Sequence, residues 1–178
     1  MRFVFPSFAH GFPLVIAVGL VACGDEKRGP INLGDADLLD DGGGLENDRA
    51  PADSSLIKAW LQSAVYTEWK CQLEPHSAVG VSPHGRNRIC QNELVTDALE
   101  GAASGPFPAG ATLVKEIYEG DTLSGLAVEV RANDGPGEDA WFFYELLGSS
   151  EIANGIGESP CVGCHDGAPR DFVWSTVD

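Results

Sequence analysis

The sequence predicts an α+β domain, an antiparallel β-sheet of meander type with helices packed against it. Apolar residues recur at helical spacing in two early segments. Three later segments, over 111–119, 123–132 and 140–147, read as strands, the second with Leu126, Val128 and Val130 on one face. A Gly120-Asp121 turn and a Gly- and Pro-rich loop over 133–138 connect those three, as antiparallel neighbours require.

The first 22 residues stand apart from this domain. Arg2 gives a positive start, and an apolar run follows that is broken by Pro6, His10 and Pro13. It is too short for a membrane span and reads as a signal peptide over 1–22. Its end, Leu20-Val21-Ala22-Cys23, resembles the bacterial lipobox. That resemblance implies a diacylglycerol on Cys23, and Gly24 in place of Asp implies the outer membrane. The expectation is a periplasm-facing lipoprotein of the bacterial cell envelope that meets the membrane only through its anchor. A plain signal peptide that happens to hold a Cys is the alternative. Residues 23–54 then read as the lipidated Cys and an acidic, disordered tether, rich in Asp and Gly and without aromatics. Asp35-Ala36-Asp37 and Asp40-Asp41-Gly42 miss the spacing of a calcium loop.

The single folded domain is expected over 55–178. Leu56, Ile57, Trp60, Leu61, Ala64 and Val65 predict a helix over about 55–69, capped by Ser54 or Ser55. Arg86–Gln91 reads as a short strand, and Asn92 caps a second helix with Leu94, Val95, Ala98 and Leu99 inside. Gly105-Pro106-Phe107-Pro108 ends it. The three later strands follow, and 151–159 reads as a loop.

Eleven Lys and Arg against 27 Asp and Glu give a formal charge of −16. Such a balance argues against a nucleic-acid partner, which needs a basic patch. Of five cysteines, Cys23 is assigned to lipid, and Cys161 and Cys164 to the motif below. Cys71 and Cys90 remain, either as one disulfide or as two free thiols; an exported chain favours the disulfide.

Cys161-Val162-Gly163-Cys164-His165 is a CxxCH motif. Its thiols suit addition to two porphyrin vinyl groups while the adjacent imidazole reaches the iron, giving one covalent haem c with His165 as axial ligand. A redox disulfide would need a thioredoxin-like βαβ surround, and a zinc site would need a distant His76 or His84. The one Met is Met1, inside the signal peptide, so no Met serves as sixth ligand. The iron then takes His76 or His84, or keeps an open position. Lys115 shares strand alternation with Ala111, Leu113 and Ile117 and on that reading points inward. If Val114 and Tyr118 mark the core face instead, Lys115 is solvated.

In order along the chain come His84-Gly85 before a strand, Asn92 opening a helix, Phe107-Pro108 followed by Gly110-Ala111, and Val114-Lys115-Glu116. Gly125, Trp141-Phe142, Cys161 to His165 and Asp171-Phe172-Val173 complete a set that resembles the cytochrome P-460 family. The resemblance runs over about 84–173. It implies an antiparallel sheet domain with helices around a five-coordinate haem. It also implies that Lys115 cross-links to the porphyrin, and that hydroxylamine is oxidised with related nitric oxide chemistry. Electrons would pass to an external acceptor, for instance another cytochrome. A related branch, cytochrome c′-beta, lacks the cross-link and binds nitric oxide or a similar ligand. By the same analogy Glu158 is expected as a distal base, its other reading being a loop acid. Phe107, Phe142 and Phe143 either wall the site or pack the core. An electron-transfer lipoprotein with His84 or His76 as sixth ligand is the third reading.

Overall fold

The computed structural model describes residues 30–31, 47–78, 82–101, 104–175 and 177. The signal segment, Cys23 and most of the expected tether lie outside the described residues. Among the described residues no helix is long and apolar enough to cross a membrane.

The elements run α1 (Ile57–Ser63), a 3₁₀ turn (Val65–Glu68), β1 (Lys70–Cys71), β2 (His76–Ser77), β3 (Arg86–Gln91), α2 (Glu93–Glu100), β4 (Thr112–Glu119), β5 (Thr122–Arg131), β6 (Trp141–Leu147), β7 (Ser150–Ile156) and α3 (Ser159–His165). The strands form one antiparallel sheet in the order β1-β3-β4-β5-β6-β7, with β2 also paired to β3. The α+β class and the central meander are as expected.

The expected helix over 55–69 breaks in the middle. Ala64 adopts φ 54°, in the left-handed region, and the chain re-enters as the 3₁₀ turn. The break lets Tyr66 turn to the sheet, where its hydroxyl donates to Glu116 Oε1 at 3.2 Å. Neither serine caps the helix. Asp53 does the local work, accepting from the Ser55 amide at 2.7 Å. The segment over 151–159 is not simply a loop, because β7 pairs with β6 along its length. Asn154 and Gly155 have poor strand propensity, and the pairing is set by the neighbouring strand rather than by local preference. Packed chain also begins before Ser55. Ala50 is 3% exposed, Trp69 Nε1 donates to Asn47 O at 2.8 Å, and Asn92 Nδ2 donates to Asp48 O at 2.8 Å.

Asn92 caps α2 as expected and does more. Its Oδ1 accepts from the amides of Val95 and Thr112, and its Nδ2 also reaches Gly110 O, so one buried amide joins the helix start to β4. Gly125 is forced by close approach, since a Cβ there would lie 2.8 Å from Leu146 O and 2.7 Å from a Leu147 methyl. Cys71 and Cys90 face each other in register on β1 and β3 and form a disulfide.

Each face of the sheet has its own core. On one, Ile57, Trp60 and Leu61 of α1 and Tyr66 pack on Val114, Leu126, Val128, Phe142 and Tyr144. On the other, Val95 of α2, Phe107 and Val173 pack on Leu113, Trp141 and Phe143, with Cys161 and Val162 of α3 at the margin. The second core stops short, and the space beside it is the site.

Candidate functional site

The floor of the site is set by strand register. Ile89, Lys115, Ala127 and Glu145 lie side by side across β3, β4, β5 and β6. Leu113, Glu129 and Phe143 form the next row. Helix α3 brings Cys161, Cys164 and His165 to this floor, and the turn before β3 brings Pro83 and His84. Together with Leu147 and Ile152 these residues line a cavity of about 440 Å³.

His165 is held by one ring nitrogen. Its Nδ1 lies 2.6 Å from Phe172 O and 2.9 Å from Glu129 Oε2. The carbonyl takes the hydrogen bond; the carboxylate oxygen lies off its direction and acts as a charge. Phe143 meets the ring edge-on at 5.4 Å. With Nδ1 so occupied, Nε2 is the nitrogen left for the cavity. Burial works against the imidazolium, but Glu129 and the Phe172 carbonyl outweigh it and raise the His165 pKa.

The carbonyl is delivered by a strained turn. Asp171 and Phe172 both have positive φ, 41° and 67°, a conformation costing about 1–3 kcal/mol per non-glycine residue. Asp171 fixes it by accepting from the Phe107 amide at 2.9 Å and from the guanidinium of Arg131, which is 1% exposed. Trp174 Nε1 donates to Cys164 O at 3.2 Å and ties the following residues to α3.

The two thiols differ. Cys164 is exposed, while Cys161 is half-buried and its pKa is pushed up to about 12, first by burial and then by Glu145, Glu158 and Glu129. A nucleophilic redox cysteine needs the opposite environment, one that stabilises the thiolate. Among the described residues no group of three or more His, Cys, Asp or Glu is placed to hold a metal ion unaided, which leaves the zinc alternative without a ligand set.

Lys115 lines the cavity rather than pointing to solvent, so the inward alternation is the one the fold uses. Burial lowers its pKa, with Glu129 and Glu145 opposing. The next residue, Glu116, faces the other side. Burial alone would raise its carboxyl, but Arg88 (2.7 and 2.9 Å), Tyr118 (2.7 Å) and Tyr66 donate to it and hold its pKa low.

Other expected residues fall elsewhere. Phe142 packs in the opposite core, because it lies one residue from Phe143 and strand alternation turns it away. Phe107 is buried against Trp141 and under the Arg170 guanidinium, outside the cavity lining; Phe143 is the aromatic that lines it. Glu158 sits at the N-terminal boundary of α3 with its side chain over Gly155, also outside the lining. His76 is exposed on β2. The carboxylates that do face the cavity, Glu129 and Glu145, were missed. Their signal is a charged residue within an apolar strand, plainest for Glu145 inside Trp141–Leu147.

A largely apolar cavity with two unpaired thiols and an anchored imidazole on one wall is the donor set that a covalently attached porphyrin requires. Compared with known proteins, the chain matches no family model and no curated protein.

Proposed function

We propose that this chain is an exported, lipid-anchored single-haem cytochrome c of the cytochrome P-460 type, with an open sixth iron position, that oxidises hydroxylamine and passes the electrons to an external acceptor. One juxtaposition carries the reading. Cys161, Cys164 and His165 of α3 and Lys115 of β4 line the same largely apolar cavity.

When bound, the haem supplies a redox-active iron with a vacant coordination position for a small nitrogenous molecule. The chain's own residues do the rest. Cys161 and Cys164 would hold the porphyrin through their thiols. His165, fixed through Nδ1, would offer Nε2 to the iron, the arrangement by which outer partners orient metal-binding histidines. Ile89, Leu113 and Phe143 exclude water from the floor. Lys115 carries an amine whose burial favours its neutral, nucleophilic form; a cross-link to the ring would break one N–H and one ring C–H bond and pass the two electrons released to an external oxidant.

A second reading has a specific observation behind it. His84 also lines the cavity, as an electron-transfer protein with two axial imidazoles would need. One experiment separates the readings. Mature protein matured with haem is reduced and its optical spectrum recorded before and after nitric oxide, and its tryptic peptides are weighed. The proposal expects a high-spin, red-shifted Soret band, a response to nitric oxide and a Lys115 peptide joined to haem. An ordinary Soret with a free Lys115 peptide but a nitric oxide response leaves a non-catalytic ligand-binding protein. A low-spin spectrum or no bound porphyrin defeats the proposal.

A further inference from the structure

The cavity holds a second imidazole that the proposed function does not use. His84 sits in the turn before β3, where its amide donates to Ser82 Oγ at 3.3 Å and Gly85 follows with φ 55°. Only 12% of its side chain is exposed, and Nδ1 is enclosed without a hydrogen-bond partner. Glu145 Oε1 lies 3.4 Å from that nitrogen, at ion-pair range and just beyond a hydrogen bond. With Nδ1 turned to the carboxylate, Nε2 is the nitrogen left to meet a guest. The two imidazoles address different rows of the floor. His165 stands by the row of Glu129 and Phe143, and His84 by the row of Glu145 and Lys115, two residues or about 7 Å further along the strands.

Resting on the haem reading above, we infer that His84, backed by Glu145, is the group that accepts protons from a small molecule bound in this cavity, the role that analogy gave to Glu158. A bound guest that must lose a proton breaks its bond to hydrogen and keeps the electron pair. The proton goes to His84 Nε2, and the resulting imidazolium faces the Glu145 carboxylate. The other ionisable groups lining the cavity are Lys115 from β4, Glu129 from β5, Tyr144 from β6, and His165 with the Cys161 and Cys164 thiols from α3. Of the carboxylates, Glu129 is engaged by His165, which leaves Glu145 to His84. Burial lowers the His84 pKa, with Glu145 partly opposing, so the ring is neutral and ready to accept at pH 7.

The test compares two probes on ferric holoprotein. Hydrogen cyanide must shed its proton as its carbon binds, whereas nitric oxide has none to shed. His84→Gln is expected to slow cyanide association about 100-fold, the scale of general-base assistance, and to leave nitric oxide association at the wild-type rate. Glu145→Gln is expected to slow cyanide about tenfold, as loss of a supporting carboxylate does. Equal slowing of both probes, or of neither, overturns the inference. A low-spin resting spectrum that turns high-spin in His84→Gln also overturns it, by making His84 an iron ligand. A high-spin resting protein that takes up nitric oxide while cyanide ignores both substitutions defeats this inference alone. A chain that binds no porphyrin defeats the haem reading, and this inference with it.

Discussion

The two faces of the sheet are built by the same strands and treat charge in opposite ways. On the face under α1, the carboxylate that comes inward, Glu116, is met by Arg88, Tyr66 and Tyr118, and the remaining contacts are apolar. That face is finished by the chain itself. On the other face Lys115, Glu129 and Glu145 come inward in neighbouring rows beside a cavity of about 440 Å³. No hydrogen-bonded network comparable to that around Glu116 joins them among the described residues. The sheet pairs its inward charge on one side and gathers charge around open space on the other, which is the contrast that the proposed function rests on.

The contrast predicts a steep hierarchy of effects. Trp60→Ala removes the centre of the finished face and is expected to cost about 4 kcal/mol in a denaturant titration while leaving the proposed haem attachment intact. A cost below about 1 kcal/mol would mean that this face is not the main stabilising core. Arg131→Ala is expected to cost about 3 kcal/mol, because it strands Asp171 and frees the strained turn that carries Phe172 O to His165. The same variant should alter the iron–imidazole signature of the proposed haem protein, reduced, in resonance Raman spectra. An unchanged signature would separate the turn from the site.

Glu116→Gln is expected to cost about 2 kcal/mol at neutral pH. Its pKa is depressed in the folded state, so the stabilisation is full above the ordinary carboxylate range and is lost as pH falls through the depressed value. Wild type and variant should therefore converge in acid, which thermal melts across pH would reveal; a constant gap would assign the loss to packing. Lys115→Met is expected to change the stability of the haem-free chain by less than about 1 kcal/mol, since apolar bulk replaces a buried amine beside open space. A loss of 3 kcal/mol or more, of the order seen when a buried pair is broken, would make the cavity floor a structural charge network and blur the contrast.

Much of this was legible locally. Apolar pattern between turn residues located β4, β5 and β6, and Asn92 announced α2, because both signals depend on residues near in sequence. The cysteine count left Cys71 and Cys90 as one bridge or two free thiols, and the structure joins them as a disulfide. The motif at Cys161 to His165 could be read without any fold. β7 could not, because Asn154 and Gly155 form a strand only where β6 supplies the hydrogen bonds. The pairing of Val114-Lys115-Glu116 with two destinations was ambiguous for a related reason. Alternation says that Lys115 and Glu116 face opposite ways but not which way is the cavity.

The amino-acid sequence by itself determined the class of fold and the candidate attachment residues, and it narrowed Cys71 and Cys90 to a bridge or two free thiols, since each is written in spacing, count or local propensity. Tertiary structure alone decided the company those residues keep. It set Glu129 beside His165 and Glu145 beside His84, turned Lys115 inward, and sent Phe142 and Glu158 away from the cavity. Register and packing across strands far apart in the chain fix which side chains meet, and no local pattern carries that information.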